Sequence, residues 1–389
     1  MERAKCTIER LLKLADVEIN GQRPWDIQVH NPGFYNRLIR YGSVGLGEAY
    51  MDEWWDCEAL DKFFYRVIKS DLENKSPGNV KSLLLYLKSL MSNQQRKSKA
   101  YEIGERHYDI GNDLYEIMLD KRMVYTCGYW KNTDNLDDAQ EAKLDLVCRK
   151  LNLKPGEHVL DIGCGWGSFA KFAAENYGAH VTGITVSKEQ ANLAKELCNG
   201  LPVHIRLQDY RDVDEIFDHI VSLGMIEHVG YKNYRDYFRV VCRSLSDHGR
   251  FVLQTIGSLY PVRSTDPWIQ KYIFPNSMLP SISQLADAFE QNCKMVMEDW
   301  ENFGVDYDKT LMAWFSNFNR GWDQLKTNYS SRFYRMWKYY LLMSAGSFRA
   351  RSTQLWQIVF TKNGLPDGYS LQSKNRRRKF HKTPLQTER

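Results

Sequence analysis

From about residue 140 onward, short apolar runs alternate with helix-length segments, and this alternation constrains the fold more than any other feature of the chain. Val159-Leu-Asp-Ile162, His180-Val-Thr-Gly-Ile184, Val203-His-Ile-Arg-Leu207, His219-Ile-Val-Ser-Leu223 and Arg250-Phe-Val-Leu-Gln254 have the length of strands, and residues 168–177, 188–198 and 234–245 are long enough for crossover helices. Strand, helix and strand in repetition predict an α/β fold built on a parallel sheet covered on both faces, because a parallel connection must cross over and pack back onto the sheet. Ligands of such sheets bind outside the carboxyl ends of the strands. The loops that follow those ends are therefore where chemistry is expected.

The first strand runs into Asp161-Ile-Gly163-Cys-Gly165-Trp-Gly167 and then directly into a helix. Glycines there permit a tight turn and let the backbone approach a ligand closely. A dinucleotide site would have Gly-x-Gly-x-x-Gly with an acid about 20 residues further on for the ribose. Here the third glycine comes one residue early, the acid precedes the glycines, and the second strand ends in Thr185-Val-Ser-Lys-Glu-Gln190. An acid in that place would repel a phosphate but suits the ammonium group of an amino acid. The pattern predicts S-adenosylmethionine.

Composition narrows the rest. The 389 residues are 43% hydrophobic and carry 53 Lys+Arg against 48 Asp+Glu, which excludes a disordered chain, a collagen-like repeat and a disulfide scaffold. No apolar run approaches the roughly 18 residues of a membrane span, and the start lacks the apolar stretch of a signal peptide, so a cytoplasmic protein is expected. Cys6, Cys57, Cys127, Cys148, Cys164, Cys198, Cys242 and Cys293 lie far apart without a Cys-x-x-Cys pair, which reads as reduced, mostly buried thiols and no metal site. Tyr, Phe and Trp number 23, 17 and 11, an excess that suits an apolar or cationic substrate.

Residues 1–90 contain short apolar segments broken at Asn20-Gly21 and Asn31-Pro32-Gly33, then a patch of glycines and aromatics over 41–55, and read as a small mixed domain. Apolar positions over 80–91 have helical spacing, and the polar run at 92–99 reads as a linker. Lys374-Asn-Arg-Arg-Arg-Lys-Phe-His-Lys382 holds six basic residues and no acid, so the net charge of +5 resides in a tail and the body is close to neutral. Such a tail suits an anionic leaflet, at about 1 kcal/mol per basic residue near the surface. Nucleic acid competes as a partner for the tail but is not the partner expected.

With these motifs in view, the chain resembles the cyclopropane-fatty-acyl-phospholipid synthases, relatives of the mycolic acid cyclopropane synthases. The likeness runs from about residue 7 to about 362, through Gly45-Leu-Gly-Glu-Ala-Tyr-Met-Asp-Glu-Trp-Trp55, His107-Tyr-Asp-Ile-Gly-Asn112, Tyr125-Thr-Cys-Gly-Tyr-Trp130, the 159–167 motif, Gln208-Asp-Tyr-Arg-Asp212, Glu227-His-Val-Gly230, Asp266-Pro-Trp268, Tyr272-Ile-Phe-Pro275 and Asp306-Tyr-Asp308. It implies a seven-stranded Rossmann-like methyltransferase domain over 105–370, after an N-terminal domain at 1–90 that engages lipid and a linker at 91–104, with the basic tail at 371–389. It also implies a reaction: methyl transfer to a cis double bond of a phospholipid acyl chain, then loss of a proton from that methyl as a three-membered ring closes.

The same resemblance assigns residues. A bound bicarbonate acts as base in the family, and the matching positions are Cys127, Glu227, the backbone of Ile256, and Tyr307. The fifth departs, since Gln254 stands where the family usually has histidine; glutamine can donate to an anion but cannot hold positive charge. Serine at 344, where relatives can carry cysteine, argues against a covalent thiol mechanism. For the cofactor, Tyr125 and Thr126 fall at the methionine end beside Asp161, Gly163, Gly165 and Gly167, Thr185 and Gln190 at the ribose, and Asp209 and Tyr210 near the adenine. Segments 258–285 and 303–345 are expected to build the acyl pocket. A homodimer held peripherally on the inner face of the membrane completes the expectation. A methyl-branched or methylene product is the alternative if Gln254 disturbs deprotonation.

Overall fold

A computed structural model describes residues 2–70, 111–290 and 294–371. The helix expected over 80–91, the linker at 91–104, His107 and the basic tail from 374 lie outside these residues.

Seven strands form one sheet. In chain order they are β3 (His158–Ile162), β4 (His180–Thr185), β5 (Val203–Leu207), β6 (Phe217–Leu223), β7 (Leu245–Ser258), β8 (Met295–Asn302) and β9 (Thr353–Lys362), in the spatial order β5-β4-β3-β6-β7-β9-β8. The five strands from β5 to β7 are parallel, and β9 runs antiparallel to both β7 and β8. The all-parallel expectation is therefore corrected at one edge. The reason is the connection: the helical hairpin before β9 returns the chain to the opposite end of the sheet, so β9 can enter only in reverse. The alternation rule reads crossovers and has no purchase on that excursion.

The crossover helices fall where the pattern puts them, at 168–177, 188–197 and 234–244. A fourth helix, Leu136–Leu151, precedes β3; Asn135 caps its start by accepting from the Asp138 N–H, and Asn152 ends it in the left-handed conformation. Helices on both faces bury the central strands: in β9 every residue from Gln354 to Thr361 is buried. Strand order reverses between β3 and β6, which opens the crevice that a ligand occupies in such sheets.

At the N-terminus, α1 (Glu2–Leu14), α2 (Gly33–Met51, kinked at Gly42) and α3 (Leu60–Lys69) surround a two-stranded ribbon of β1 (Gln28–Val29) and β2 (Trp55–Asp56). Their apolar faces meet, with Trp55 against Phe34, Tyr50 and Phe63, but the core does not end there. Phe34, Tyr50, Trp55, Phe63 and Phe64 join a single core with Tyr115, Trp268, Trp314, Trp337 and Tyr339 from the C-terminal part of the chain. The long helices Val305–Leu325 and Ser331–Arg349 carry much of this shared core. Arg349 spans the junction, with its guanidinium 2.6 Å from Asp61 of α3 and 2.8 Å from Asp308.

One cysteine departs from expectation. Cys6, Cys57, Cys127, Cys148, Cys164 and Cys198 are free thiols, whereas Cys242 is disulfide-bonded. Spacing rules see neighbours in sequence, while folding brings distant cysteines together.

Candidate active site

The carboxyl ends of β3, β4 and β6 open into a cleft of about 1300 Å³, part of it facing solvent. Tyr125, Thr126, Asp161, Gly163, Gly165, Thr185, Gln190, Asp209 and Tyr210 all line it. Gly167 stands just behind as the N-cap of the first crossover helix. The three motif glycines have φ of +83°, +55° and +80°. At Gly165 the space a Cβ would fill is empty to 4 Å, so the turn presents bare backbone to the cleft.

Each polar residue here is prearranged. Asp161 is buried, its Oδ2 has no hydrogen-bond partner, and burial raises its carboxyl to about 7. A partnerless buried carboxylate on a cleft wall fits a cationic ligand group. The Thr185 hydroxyl donates to Gln190 Oε1 at 2.9 Å, which leaves the Gln190 NH₂ as the donor end of that side chain on the cleft wall. Asp209 is held by Arg211, which donates from Nε and its backbone N–H to Oδ1 and from Nη2 to Oδ2, all within 3.0 Å, leaving Oδ2 with acceptor capacity to spare. Tyr210 is held edge-on to Tyr237, with ring centroids 5.5 Å apart. The observed set of donors, bare backbone and unpaired acid fits S-adenosylmethionine.

Beside the cleft the wall becomes aromatic. Tyr125 lies edge-on to Tyr115 and tilted against Trp314, both at 5.2 Å, and its hydroxyl is 3.0 Å from that of Tyr340. Tyr307 stacks on Phe348 at 4.5 Å and meets Trp314 edge-on at 6.0 Å.

The five positions matched to the anion site fall into two groups. Cys127 and Tyr307 form the first, Cys127 with its Sγ 3.7 Å from the hydroxyl of Thr310, which lies one turn after Asp306 on the helix that also carries Tyr307. That hydroxyl oxygen accepts from the Gly128 N–H at 3.1 Å and from Trp130 Nε1 at 2.8 Å, and donates to the Asp306 carbonyl. Cys127 is fully buried and its thiol is pushed well above the usual range, so it is a neutral thiol near pH 7. In the second group, Glu227 Oε1 accepts from the Ile256 N–H at 2.7 Å, so that backbone donor is already engaged. Glu227 Oε2 is buried without a partner, and burial raises the carboxyl to about 7. Gln254, two residues before Ile256 on β7, is 1% exposed and accepts from Gln357 Nε2 at 2.9 Å. Its own NH₂ is thereby left as the donor end.

Other residues at the site had no assigned role. His228, which stands in the 227–230 motif, lines the cleft, and burial lowers it to about 4, so it is neutral. Lys143 and Thr310 were missed by sequence reasoning. Thr310 has no motif. Lys143, fully buried on the 136–151 helix, reaches the cleft wall and donates to Thr126 Oγ1 at 2.9 Å. A signal existed for Lys143: it shares the buried stripe of Gln140, Val147 and Leu151, where a lysine needs a reason. Ser344 lies on the 331–349 helix.

Comparisons with known proteins bear on the family and the fold. A family model described as mycolic acid cyclopropane synthetase matches residues 95–358. The cyclopropane-fatty-acyl-phospholipid synthase of Escherichia coli K12 is 53% identical over 358 residues, covering 91% of this chain and 93% of that one. The tuberculostearic acid methyltransferase UfaA1 of Mycobacterium tuberculosis is 31% identical over 358 residues, covering 87% and 83%. Among solved structures, the mycolic acid cyclopropane synthase CmaA1 complexed with SAH and CTAB superposes with a TM-score of 0.63 at 31% identity, covering 67% of this chain and 98% of that one.

Proposed function

The chain belongs to the mycolic acid cyclopropane synthetase family, and on that premise we propose that it carries out the reaction named in its Escherichia coli relative, placing a methylene from S-adenosylmethionine across a cis double bond of an unsaturated phospholipid acyl chain. The observation that carries the reading is Tyr125, which lines the cofactor cleft and at the same time belongs to the cluster of Tyr115, Trp314 and Tyr340. An electrophile bound in the cleft thus faces an apolar, π-rich wall.

S-adenosylmethionine, when bound, supplies an electrophilic methyl group. The chain's own residues do the rest. Asp161 and the glycine turn hold the amino-acid end, and Gln190 the ribose. An alkene is a poor nucleophile, so close placement and exclusion of water matter most. Methyl transfer leaves positive charge on the former alkene carbon. Tyr125, Tyr307 and Trp314 offer ring faces that stabilise a cation without capturing it. Loss of a proton from the new methyl then closes the ring, and a base must take it. Bicarbonate is the base proposed: Glu227, protonated up to about pH 7, can present Oε2–H to an anion, and the Gln254 NH₂ is a second donor of the matched set, to which Tyr307 also belongs. Cys127 serves as a neutral thiol rather than a nucleophile.

The test is incubation with methyl-labelled S-adenosylmethionine and unsaturated phospholipid vesicles, followed by NMR and mass analysis of the acyl chains. Labelled cyclopropane protons are expected; absence of label in the lipid rejects the reading. Gln254 favours one alternative, a lipid C-methyltransferase. Its methylene product is isomeric with the ring and separated by NMR, and a reduced methyl branch is two mass units heavier. Replacing Gln254→His should raise bicarbonate affinity, read as a lower bicarbonate concentration for half-maximal rate; an unchanged requirement would remove position 254 from the anion site.

The substrate resides in a bilayer, while no helix among the described residues is long and apolar enough to cross one. Peripheral contact with the inner face of the membrane is therefore proposed. Leu259 and Tyr260 are 53% and 73% exposed and Ile282 55%, and the bridge between Ser258 and Ser281 brings them side by side at the end of β7, the strand that carries Gln254 and Ile256. Changing all three to serine should reduce vesicle binding at high salt, whereas deleting 374–389 should reduce it chiefly at low salt. Co-sedimentation unchanged by either variant would reject the corresponding contact. A homodimer is proposed with it, to be checked by analytical ultracentrifugation.

A further inference from the structure

Lys143 is the one residue of the cleft wall whose presence the fold does not explain. It is fully buried in the helix before β3, where its neighbours on the same face are apolar or, like Gln140, engaged with backbone. Burying an ammonium is costly unless something answers its charge. Its hydrogen-bond partner is a neutral hydroxyl, Thr126 Oγ1 at 2.9 Å. The acids that attract it are Asp120, whose oxygens accept the Val124 and Arg122 N–H groups, and Asp161, whose Oδ2 has no partner. One end of the cleft thus carries a buried lysine, lowered to about 8 by burial, and a buried carboxyl with one unpartnered oxygen, raised to about 7. A zwitterion bound there would draw both into their charged forms and complement them.

Thr126 completes the argument. Its oxygen accepts from Lys143, so its single O–H proton is directed away from Lys143, and an adjacent ammonium makes that hydroxyl a stronger donor. We propose that Lys143, acting through Thr126, is the positioning residue for the carboxylate of the cofactor's methionine moiety, while Asp161 takes the ammonium. This rests on the reading of S-adenosylmethionine as cofactor but not on the lipid product. It adds a determinant that neither the glycine motif nor the anion-site positions contain. The arrangement makes the cleft select an intact amino-acid end over adenosyl thioethers that lack it.

The test is calorimetric titration of the full chain with three probes: S-adenosylhomocysteine, its decarboxylated analogue S-adenosyl-3-thiopropylamine, and 5′-methylthioadenosine. A charge-assisted contact predicts that the unmodified protein binds S-adenosylhomocysteine about 10- to 100-fold more tightly than the decarboxylated analogue. In Lys143→Met that preference should collapse to within about 3-fold, with affinity for 5′-methylthioadenosine unchanged. Thr126→Val should lose part of the preference and provides a second route if the Lys143 variant does not fold. A purely structural lysine would weaken all three probes together and leave their ratio intact, which would overturn the proposal. So would an unmodified protein that does not distinguish the carboxylate. Failure of the lipid reading would appear separately, as tight S-adenosylhomocysteine binding with no labelled acyl product.

Discussion

Glu227 shows how much of this site depends on where a side chain is buried. Burial raises its carboxyl from 4.5 to about 7, with the Ile256 N–H acting the other way. The folded chain therefore holds this proton more tightly than the unfolded chain does. The stability that results is complete below about pH 4.5 and is lost as pH rises to about 7. Glutamine has no such proton and still accepts from Ile256. The melting temperature of Glu227→Gln relative to the unmodified protein should thus shift in the variant's favour between pH 5 and 7.5 and level off above. A difference independent of pH would show that Glu227 is not held near 7. Asp161, raised to about 7 by the same cause, contributes the same slope to both proteins. At this scale the residues legible in sequence were those in motifs, such as the glycines, Asp161 and Gln190. Lys143 and Thr310 were not, because their contacts come from neighbours distant in sequence.

At the scale of elements, the packing of α3 against the 331–349 helix depends on Gly346. A Cβ there would lie 2.8 Å from Phe64 Cβ and from the Tyr65 backbone N, and 2.9 Å from the Asp61 carbonyl. Backbone atoms cannot rotate aside, so the helices would have to part. Alanine would gain about 1 kcal/mol in helix propensity, but overpacking costs about 1–3 kcal/mol. Gly346→Ala should therefore be destabilising by up to about 2 kcal/mol in urea denaturation; a variant as stable as the unmodified protein would show that this contact yields easily. The elements expected from alternation, β3 to β6 and the three crossover helices, are present within two residues of the expected bounds, whereas β7 extends to Leu245–Ser258 beyond the expected 250–254. β8 and β9 escaped that reading because neither belongs to a strand-helix-strand repeat.

At the scale of the whole molecule, residues 2–70 and the C-terminal helices are joined by a common core and by ion pairs. Tyr339 meets Tyr50, Phe64 and Trp268 within 5.5 Å, Arg335 pairs with Asp56, and Tyr272 donates to Glu48. The full chain should melt in a single calorimetric transition, and a fragment lacking residues 1–70 should aggregate or lose cooperative melting because Tyr339 and Trp268 lose their cover. A fragment that melts cooperatively by itself would show two independent units.

The sequence by itself determined the α/β class, the five parallel strands and the glycine turn, since these depend on local periodicity and on backbone conformations that glycine adopts most readily. It also carried the family, through motifs that are contiguous in the chain. Tertiary structure alone decided the reversed β9, the disulfide at Cys242, the core shared across the chain, and the near-neutral values of Asp161 and Glu227. Each of these rests on burial or contact between residues far apart in sequence. Such energies come from the solvent and partners a side chain loses or gains on folding, and no local pattern records them.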